Sequence, residues 1–527
     1  MSRVSSIEAA RLQQQRRAQG KNARIVQIPA PIGGWNARDS IADMSPTDAV
    51  SLTNWFPTTS DVMVRLGFTK FATGLPGQVE TLMPYNPASG AQKLFAVSGT
   101  AIYDVSAGGT VGAGVVTGLT NDRWSYVNFA TPAGPFLCAV NGADGYYVYN
   151  GTTWQSVTSG SSPISITGVT PSTLNFVTAF AQRLWFIQAG SLNAYYLPTS
   201  SVGGAAAVFP MQPIFRRGGY LVSIGVWTVD GGYGMQDYMA FVTSEGEIAI
   251  YGGTDPTQAS NFYLVGVYQL GSPMGNRCFL KYGSDLLYIG KDGLGPLSRL
   301  MASTRVNTAV ELTAKIQGAI SSATAIYGSN FGWSMVLYPA QNMLLLNVPI
   351  SVGQQQQYVM NTITGAWCNF TGWPANCWER WEDSIYFGGN GYVGLAWNTY
   401  ADNAQNISAV AQQAYGDFGT ANQKRFTMMR PILTSNGSPA IAANIDVDYS
   451  QSLPLATLAY SPSTYGTWDS AIWDTAIWGG GLSILKNWEG VTGLGMTGSP
   501  ILNAATNGIE THWAATDIVF EIGQNVI

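Results

Sequence analysis

Residues 93–105 read KLFAVSGTAIYDV, an alternating apolar strand followed by a glycine-centred turn and a second strand that contains Ile and Tyr. Because glycine tolerates the positive φ that tight turns require, this pattern predicts a β-hairpin. Similar stretches recur six times further along the chain, at 136–151, 183–198, 239–253, 285–300, 343–370 and 383–397.

The seven hairpins follow one another at steps of 41 to 58 residues, counted from Leu94 to Ile385. One propeller blade takes roughly 40–50 residues. A single hairpin cannot bury its apolar face, whereas sheets stacked in a ring bury every face and protect their edges. We therefore predict an all-β protein with a β-propeller of six or seven blades.

Composition agrees with this fold class. The chain of 527 residues contains 61 Gly and 25 Pro, and 12% of its residues are aromatic, as expected for strands joined by tight turns. Charged residues make up only 10%, against about 25% in ordinary globular domains. A surface with so few charges is typical of a subunit that packs permanently against neighbours.

Four segments are predicted along the chain. Residues 1–24 form a basic N-terminal arm with a short helix that starts at a capping-box pattern, Ser5-Ser6-Ile7-Glu8. Residues 25–83 form a strand and platform segment, and residues 84–409 form the propeller. After about residue 405 the pattern changes, and we predict that residues 410–527 form a separate β-sandwich-like domain.

The net charge of −5 is unevenly distributed. The arm holds six basic residues and one acidic residue, which makes it +5 and leaves −10 on the rest of the chain. The body is therefore predicted to be a poor general binder of nucleic acid, while the arm would suit an acidic partner or a phosphate backbone. An exposed tail without a partner is the alternative.

Residues able to support catalysis or bind a metal are sparse. The only histidine is His512, which we interpret as a half-buried structural residue on the same strand face as Ala514 and Thr516. The four cysteines are far apart and predict small core residues rather than disulfides or a zinc site. We therefore predict no catalytic residue, cofactor site or metal site.

A cluster of acidic residues in WERWED is the strongest argument for an enzyme. Glu379, Glu382 and Asp383 could in principle act as a carboxylate pair in a propeller glycosidase or lyase that acts on bacterial polysaccharide. A solvated acidic loop is the favoured interpretation. A carbohydrate-binding, adhesin-like propeller that uses exposed aromatic residues is a further alternative.

Neither a membrane span nor a secretory signal peptide is expected, because the chain lacks a sufficiently long apolar run and an apolar N-terminal region with a cleavage site.

Tryptophan recurs every fifth residue in TWDSAIWDTAIWGG, residues 467–480, at Trp468, Trp473 and Trp478. Residues five apart lie on different faces of both a helix and a strand. The spacing therefore indicates repeated short turns that each present one large ring. These rings would either anchor contacts between subunits or fill the core of their own domain.

Two stretches resemble a known family. Residues 31–68 contain P-x-x-G-W-N, a Met-x-x-x-x-Ala cluster, Asn-Trp-x-Pro and V-x-x-R-x-G-F; the second stretch is the Trp-Asp repeat together with THWAATDIVFE near the C-terminus. The matching positions in the first stretch are Pro31, Gly34, Trp35, Asn36, Met44, Ala49, Asn54, Trp55, Pro57, Val62, Arg65, Gly67 and Phe68. Both stretches are similar to the tail hub or nozzle (head-to-tail stabilisation) proteins of short-tailed bacteriophages.

This resemblance implies a structural protein of the virion tail, assembled in the bacterial host cytoplasm. Members of the family form rings, commonly of six copies, below the portal and adaptor, and line the channel through which double-stranded DNA leaves without sequence-specific binding. The resemblance implies a homo-oligomer, with Arg11, Arg16 and Arg17 of the arm as candidates for docking onto the adaptor or a neighbouring subunit. Trp468, Trp473 and Trp478 are the other candidates for the subunit interface.

Overall fold

The computed structural model describes residues 23–230, 235–302, 312–451, 458–461 and 481–523. Strands hold 55% of the described residues and helices 5%, so the protein is all-β, as predicted. The described residues fall into two compact units. The central unit comprises Leu66–Gly365 and Asn369–Asn403, and the terminal unit comprises the described residues up to Arg65, Ala366–Cys368 and those from Ala404 onward.

All seven predicted hairpins are present in the central unit as antiparallel strand pairs. A glycine with positive φ lies in or beside each turn, for example Gly99 at 59° and Gly246 at 79°. The paired strands are β7 (Lys93–Ser98) and β8 (Ala101–Asp104), β12 (Gly134–Val140) and β13 (Tyr146–Tyr149), β17 (Arg183–Gln188) and β18 (Asn193–Tyr196), β22 (Met235–Thr243) and β23 (Glu247–Gly253), β26 (Asp285–Gly290) and β27 (Gly293–Pro296), β29 (Met343–Ser351) and β30 (Gln354–Asn361), and β33 (Ser384–Gly388) and β34 (Asn390–Ala396).

Further strands extend these hairpins into sheets that follow one another along the chain. Three sheets are complete four-stranded units, in the orders β11-β12-β13-β14, β16-β17-β18-β20 and β21-β22-β23-β24. The strands that extend the hairpins are β11 (Ser125–Thr131), β14 (Trp154–Val157), β16 (Leu174–Phe180), β20 (Ala207–Pro210), β21 (Leu221–Asp230), β24 (Phe262–Gln269), β25 (Phe279–Tyr282), β28 (Ser334–Tyr338) and β32 (Cys377–Trp381).

Strand β6 (Phe68–Tyr85) joins the first and last sheets of the central unit. Its first half pairs with β34, from Phe68 opposite Ala396 to Gln78 opposite Asn390. Its second half pairs with β7 from Val79 onward. Because one strand belongs to both end sheets, the succession of sheets closes on itself, and the unit has a β-propeller-like arrangement with four clearly formed blades.

The core of the central unit lies between consecutive sheets. One hydrophobic cluster includes Phe95, Trp124 and Tyr149, and another includes Trp185 and Phe241. The Phe95 and Tyr149 rings lie 4.8 Å apart at 68°, an edge-to-face arrangement that favours tight packing. Trp373, Trp378 and Trp381 of the same unit are also buried.

Short elements complete the central unit. Helices α1 (Leu297–Ala302) and α2 (Gln317–Tyr327) follow β27, with 3-10 turns at Pro171–Thr173, Ala314–Ile316 and Pro339–Gln341. The short strands are β9 (Gly109–Thr110), β10 (Val116–Thr117), β15 (Ile166–Thr167) and β19 (Gly204–Ala205). Strand β31 (Trp367–Phe370) lies at the division between the units.

The terminal unit is built from two sheets. One has the order β38-β36-β41-β5-β4, with β1 also pairing with β41 and β39 with β36; the other contains β3-β35-β40-β37, with β2 beside β3. The strands are β1 (Ala23–Pro29), β2 (Gly34–Trp35), β3 (Asp48–Thr53), β4 (Trp55–Pro57), β5 (Val62–Val64), β35 (Ile407–Gln413), β36 (Lys424–Ser435), β37 (Ala440–Val447), β38 (Ser483–Leu485), β39 (Glu489–Gly495), β40 (Gly498–Thr506) and β41 (Thr511–Ile522).

The observed units differ from the predicted segments. The predicted boundary at 83/84 falls inside β6, and the one at 409/410 falls inside β35. The physical reason is long-range pairing, because β1 and β5 hydrogen-bond to β41 and β3 hydrogen-bonds to β35. Residues 1–22 of the predicted helical arm lie outside the described residues, and Arg24 belongs to β1.

Candidate functional site

A cavity of about 270 Å³ lies where the sheets of the central unit converge. Strands β6, β11, β16, β21, β25, β28 and β32 all contribute lining residues. Each of these is an end strand of its sheet or, in the case of β6, the shared strand. The cavity is therefore the axial cavity of the propeller-like unit.

A half-buried acid and a half-buried phenol face each other in the axial cavity. The Tyr126 hydroxyl of β11 donates a hydrogen bond to the Glu379 carboxylate of β32. Burial raises the pKa of Glu379 to about 7, although Tyr126 and nearby Arg277 oppose that shift. Burial, reinforced by Glu379, also raises the pKa of Tyr126 well above its ordinary value. Glu379 therefore exchanges its proton near neutral pH, a property that is common in functional sites.

Arg277 connects separate sheets at the edge of this cavity. One of its terminal nitrogens donates to the Glu80 carbonyl oxygen and to the Thr81 hydroxyl, each at 2.9 Å. Its guanidinium lies 5.4 Å from the centre of the Phe331 ring, and that of Arg123 lies 4.2 Å from the same ring. The two hydrogen bonds hold the segment that precedes β25 against β6.

The three acidic residues of WERWED do not form one site. Glu379 lies within β32 and lines the axial cavity, so the prediction of a solvated loop is wrong for this residue. Glu382 and Asp383 form the β32–β33 turn at φ 47° and 58°. The Asp383 side chain is 93% exposed and pairs only loosely with Arg380, at 3.5 Å, as the solvated-loop interpretation expects.

Strand β24 has an exposed apolar surface. Tyr263, Leu264, Val265 and Val267 are 40% to 47% exposed. Strand β24 pairs with β23 on one side and, within the described part of the chain, with no strand on the other. Its sequence, FYLVGVYQ, contains no charged residue, although charges commonly protect edge strands from association. We call this surface the β24 edge.

Described residues of the two stretches that carry the family resemblance contact each other inside the terminal unit: Trp55 of the first stretch lies beside Trp513 of the second. Arg65 is 1% exposed, and its Nε donates to the Asn54 side-chain oxygen at 2.9 Å. The Asn54 side-chain nitrogen donates to the Ser408 carbonyl at 2.8 Å. The Trp55 ring lies 5.6 Å from that of Trp513. These motif residues therefore hold distant segments of the unit together.

His512 lies between two carboxylates in the same unit. Its Nδ1 is 2.9 Å from Asp61 and its Nε2 is 2.9 Å from Glu510, with 20% of the side chain exposed. The hydrogen bond to Asp61, with help from Glu510, raises the pKa of His512 to about 9 despite partial burial. The prediction of a half-buried structural histidine is confirmed. With this raised pKa, His512 carries a positive charge at neutral pH.

The four cysteines are buried thiols, as predicted, at Cys138, Cys278, Cys368 and Cys377. Burial raises the pKa of each thiol, which disfavours the nucleophilic thiolate. In the described ranges, no three His, Cys, Asp or Glu side chains are grouped closely enough to hold a metal ion.

The predicted interface residues, Arg11, Arg16, Arg17, Trp468, Trp473 and Trp478, all lie outside the described residues. Sequence reasoning missed Tyr126 and Arg277. No local pattern marks them, because their partners lie on other sheets and, for Tyr126 and Glu379, 253 residues away.

No protein-family model and no curated protein sequence matches this chain. Solved structures with a similar arrangement include BBS1N in complex with ARL6DN, which is 9% identical over 63% of this chain and 97% of that chain, with a TM-score of 0.40. The Cps50 (Swd1) β-propeller domain of Myceliophteria thermophila is 10% identical over 57% and 92%, with a TM-score of 0.37. YCF48 from Cyanidioschyzon merolae is 11% identical over 65% and 97%, with a TM-score of 0.31.

These likenesses are too distant to carry a functional argument, and the strand topology alone defines the class: an all-β protein with a β-propeller-like central unit. Among the described helices, none is long and apolar enough to cross a bilayer.

Proposed function

We propose that this chain is a non-enzymatic structural subunit of a bacteriophage tail, a hub or nozzle that assembles as a homo-oligomeric ring, with six copies as the expected number. The observation that carries ring formation is the β24 edge, an uncharged apolar strand that pairs with a single strand, β23, among the described residues. Such an edge is suited to pairing with another protein surface. The assignment to the tail rests on the family resemblance of residues 31–68, 467–480 and 511–521.

We further infer seven blades for the propeller, because seven strands, one from each successive sheet, contribute to the axial cavity. For the terminal unit we retain the β-sandwich-like interpretation, since it contains two separate sheets. Each subunit would then consist of a seven-bladed propeller and a β-sandwich-like terminal unit.

In this proposal DNA passes between subunits and not through the propeller. The axial cavity holds only about 270 Å³, which is far too small for a DNA duplex, whose major groove alone is about 12 Å wide. The −10 charge of the chain beyond residue 24 would keep the lumen from gripping phosphates. The subunit would retain and then conduct the genome below the portal and adaptor, with Arg11, Arg16 and Arg17 docking onto the adaptor or a neighbouring subunit.

Native mass and a pair of variants test the ring. The wild-type chain is expected to run as a species of about 340 kDa, six times 56.2 kDa. Val265→Lys combined with Val267→Lys should release folded monomers, because charges on the β24 edge oppose apolar association. Val352→Lys, at an 86% exposed valine in the β29–β30 turn, is the matched control and should leave the ring intact. A monomeric wild type, or an unaffected double variant, would refute the proposal.

The glycosidase or lyase alternative retains one supporting observation, the proton exchange of Glu379 near pH 7 inside a cavity. Glycosidases need a second carboxylate about 5–9.5 Å from the first. Glu379 is the only carboxylate among the described residues that line the axial cavity, which makes this the weaker proposal. Release of reducing sugar by the purified chain, abolished in Glu379→Gln, would favour it.

A further inference from the structure

We propose that the axial cavity of the central unit is a binding site for one neutral, polyhydroxylated small molecule of about the size of a monosaccharide. The proposal does not depend on ring assembly. Strand β21 lines the cavity at one side of its sheet, and β24 is at the opposite side of that sheet.

The size and accessibility of the cavity suit such a ligand. Its volume of about 270 Å³ is just below the range of about 300–1,000 Å³ that is typical of small-molecule sites. Tyr126, Asn276, Arg277 and Glu379 line it and are half-buried, so solvent reaches these side chains. A small solute could therefore enter without unfolding the unit.

Polar groups in the cavity have unused hydrogen-bonding capacity. Asn276 and Thr178 line it, and neither side chain has a hydrogen-bond partner among the described residues. The Glu379 carboxylate accepts bonds from the Tyr126 hydroxyl and from the Arg380 backbone nitrogen. Since a carboxylate offers about four acceptor sites, it can still accept ligand hydroxyls.

The charges favour a neutral ligand. Arg277 lines the same cavity as Glu379 and acts on it electrostatically, so the ionised carboxylate already has a counter-charge. A charged ligand would bring an additional, uncompensated charge into a half-buried space, which is costly. A fully apolar ligand would instead displace water from the carboxylate and the Asn276 amide without replacing the hydrogen bonds that the water made.

Aromatic side chains supply the other half of the recognition. Phe176, Phe279 and Trp378 line the cavity beside the polar groups. A sugar ring has hydroxyl groups at its rim and C–H bonds on its faces, so it can satisfy both kinds of surface. Apolar walls with a few convergent polar groups are the usual composition of small-molecule sites.

Ligand-observed NMR and calorimetry with defined sugars test the proposal. The neutral probes are D-glucose, D-galactose, D-mannose and N-acetyl-D-glucosamine, and the charged probes are D-glucuronate and D-glucosamine. We expect at least one neutral sugar to bind with a millimolar or tighter dissociation constant, and to bind better than either charged sugar. No binding by any neutral sugar, or tighter binding of a charged one, would overturn the proposal.

Variants locate the binding. Asn276→Ala and Glu379→Gln should each lower the affinity for the sugar by about fivefold to tenfold, the effect of losing or weakening one hydrogen bond. Asp383→Asn, in the exposed turn, is the control and should change affinity less than twofold. Equal affinity in Asn276→Ala and wild type, with both folded by circular dichroism, would place the sugar elsewhere and refute the site. Native mass, measured in parallel, reports separately on the ring.

Discussion

His512 shows how one residue can make the stability of the terminal unit depend on pH. Its pKa rises from 6.5 to about 9 because it hydrogen-bonds to Asp61 and, more weakly, to Glu510. A base with a raised pKa stabilises the fold fully below its unfolded pKa and loses that contribution as the pH rises through the folded pKa. The terminal unit should therefore lose stability between pH 6.5 and about 9.

His512→Gln should remove this dependence. Glutamine cannot carry the positive charge, so the variant should be less stable than wild type below pH 6.5, by about 1.5–3 kcal/mol, the range for hydrogen bonds to charged groups. The difference should shrink as the pH approaches 9. Thermal unfolding of both proteins from pH 6 to 9.5 measures it, and parallel curves would contradict the account.

Replacing Glu379 should stabilise the protein, whereas replacing His512 should destabilise it. Burial raises its pKa from 4.5 to about 7, so the folded state holds its proton more tightly than the unfolded state does. The contribution of this acid to stability is complete below pH 4.5 and is lost as the pH rises to about 7. Glu379→Gln should therefore gain on wild type across that interval, by on the order of 1–2 kcal/mol once solvent exposure is allowed for.

Thermal unfolding at several values between pH 4.5 and 7.5 follows this difference. Asp383→Asn serves as the control, because that side chain is exposed and lies outside the cavity. A constant offset between Glu379→Gln and wild type would show that the acid does not titrate in the cavity.

At the scale of single elements, the hairpins could be predicted because their signal is local. Alternating apolar residues and one glycine per turn suffice to specify two paired strands, and all seven were found. Strand β41 shows the limit of such reasoning. Leu433 pairs with Trp513 and Ile432 pairs with Ala515, so Ala514 forms a bulge. The bulge reverses the alternation of inward and outward side chains along β41, and the Trp513 side chain is buried in the core. The predicted face of His512, Ala514 and Thr516 is therefore wrong.

The double role of β6 could not be predicted either. Nothing in FTKFATGLPGQVETLMPY indicates that its first half pairs with a strand more than 300 residues later. The same limitation applies to β1 and β41, and to the pairing of Tyr126 with Glu379. Sequence patterns predict which strands form, whereas long-range pairing follows from the closure of whole sheets.

Proline in β6 tests that closure. Ala72 is buried and pairs with Val393, so Ala72→Pro removes a backbone donor where the first and last sheets meet. We expect destabilisation of about 1–3 kcal/mol, the cost of leaving a buried backbone group of the sheet unpaired. Ser89→Pro, in the exposed loop between β6 and β7, is the control and should have little effect. Equal melting temperatures for the two variants would argue against closure through β6.

At the scale of the whole molecule, we propose a subunit that is folded on its own and that assembles with other subunits through uncharged strand edges. Low overall charge predicted permanent neighbours from composition, and the β24 edge supplies a specific surface for one of them. The candidate arginines and tryptophans of the interface stay predictions. The axial cavity is independent of assembly and would be retained in a monomer.

Electron microscopy of purified virions labelled with an antibody fragment against this chain tests the central claim most directly. The account predicts label on a six-fold ring in the tail, below the portal and adaptor, with the density of the propeller unit around the lumen and not across it. Label on the capsid or on peripheral fibres, or virions that contain none of this chain, would contradict it.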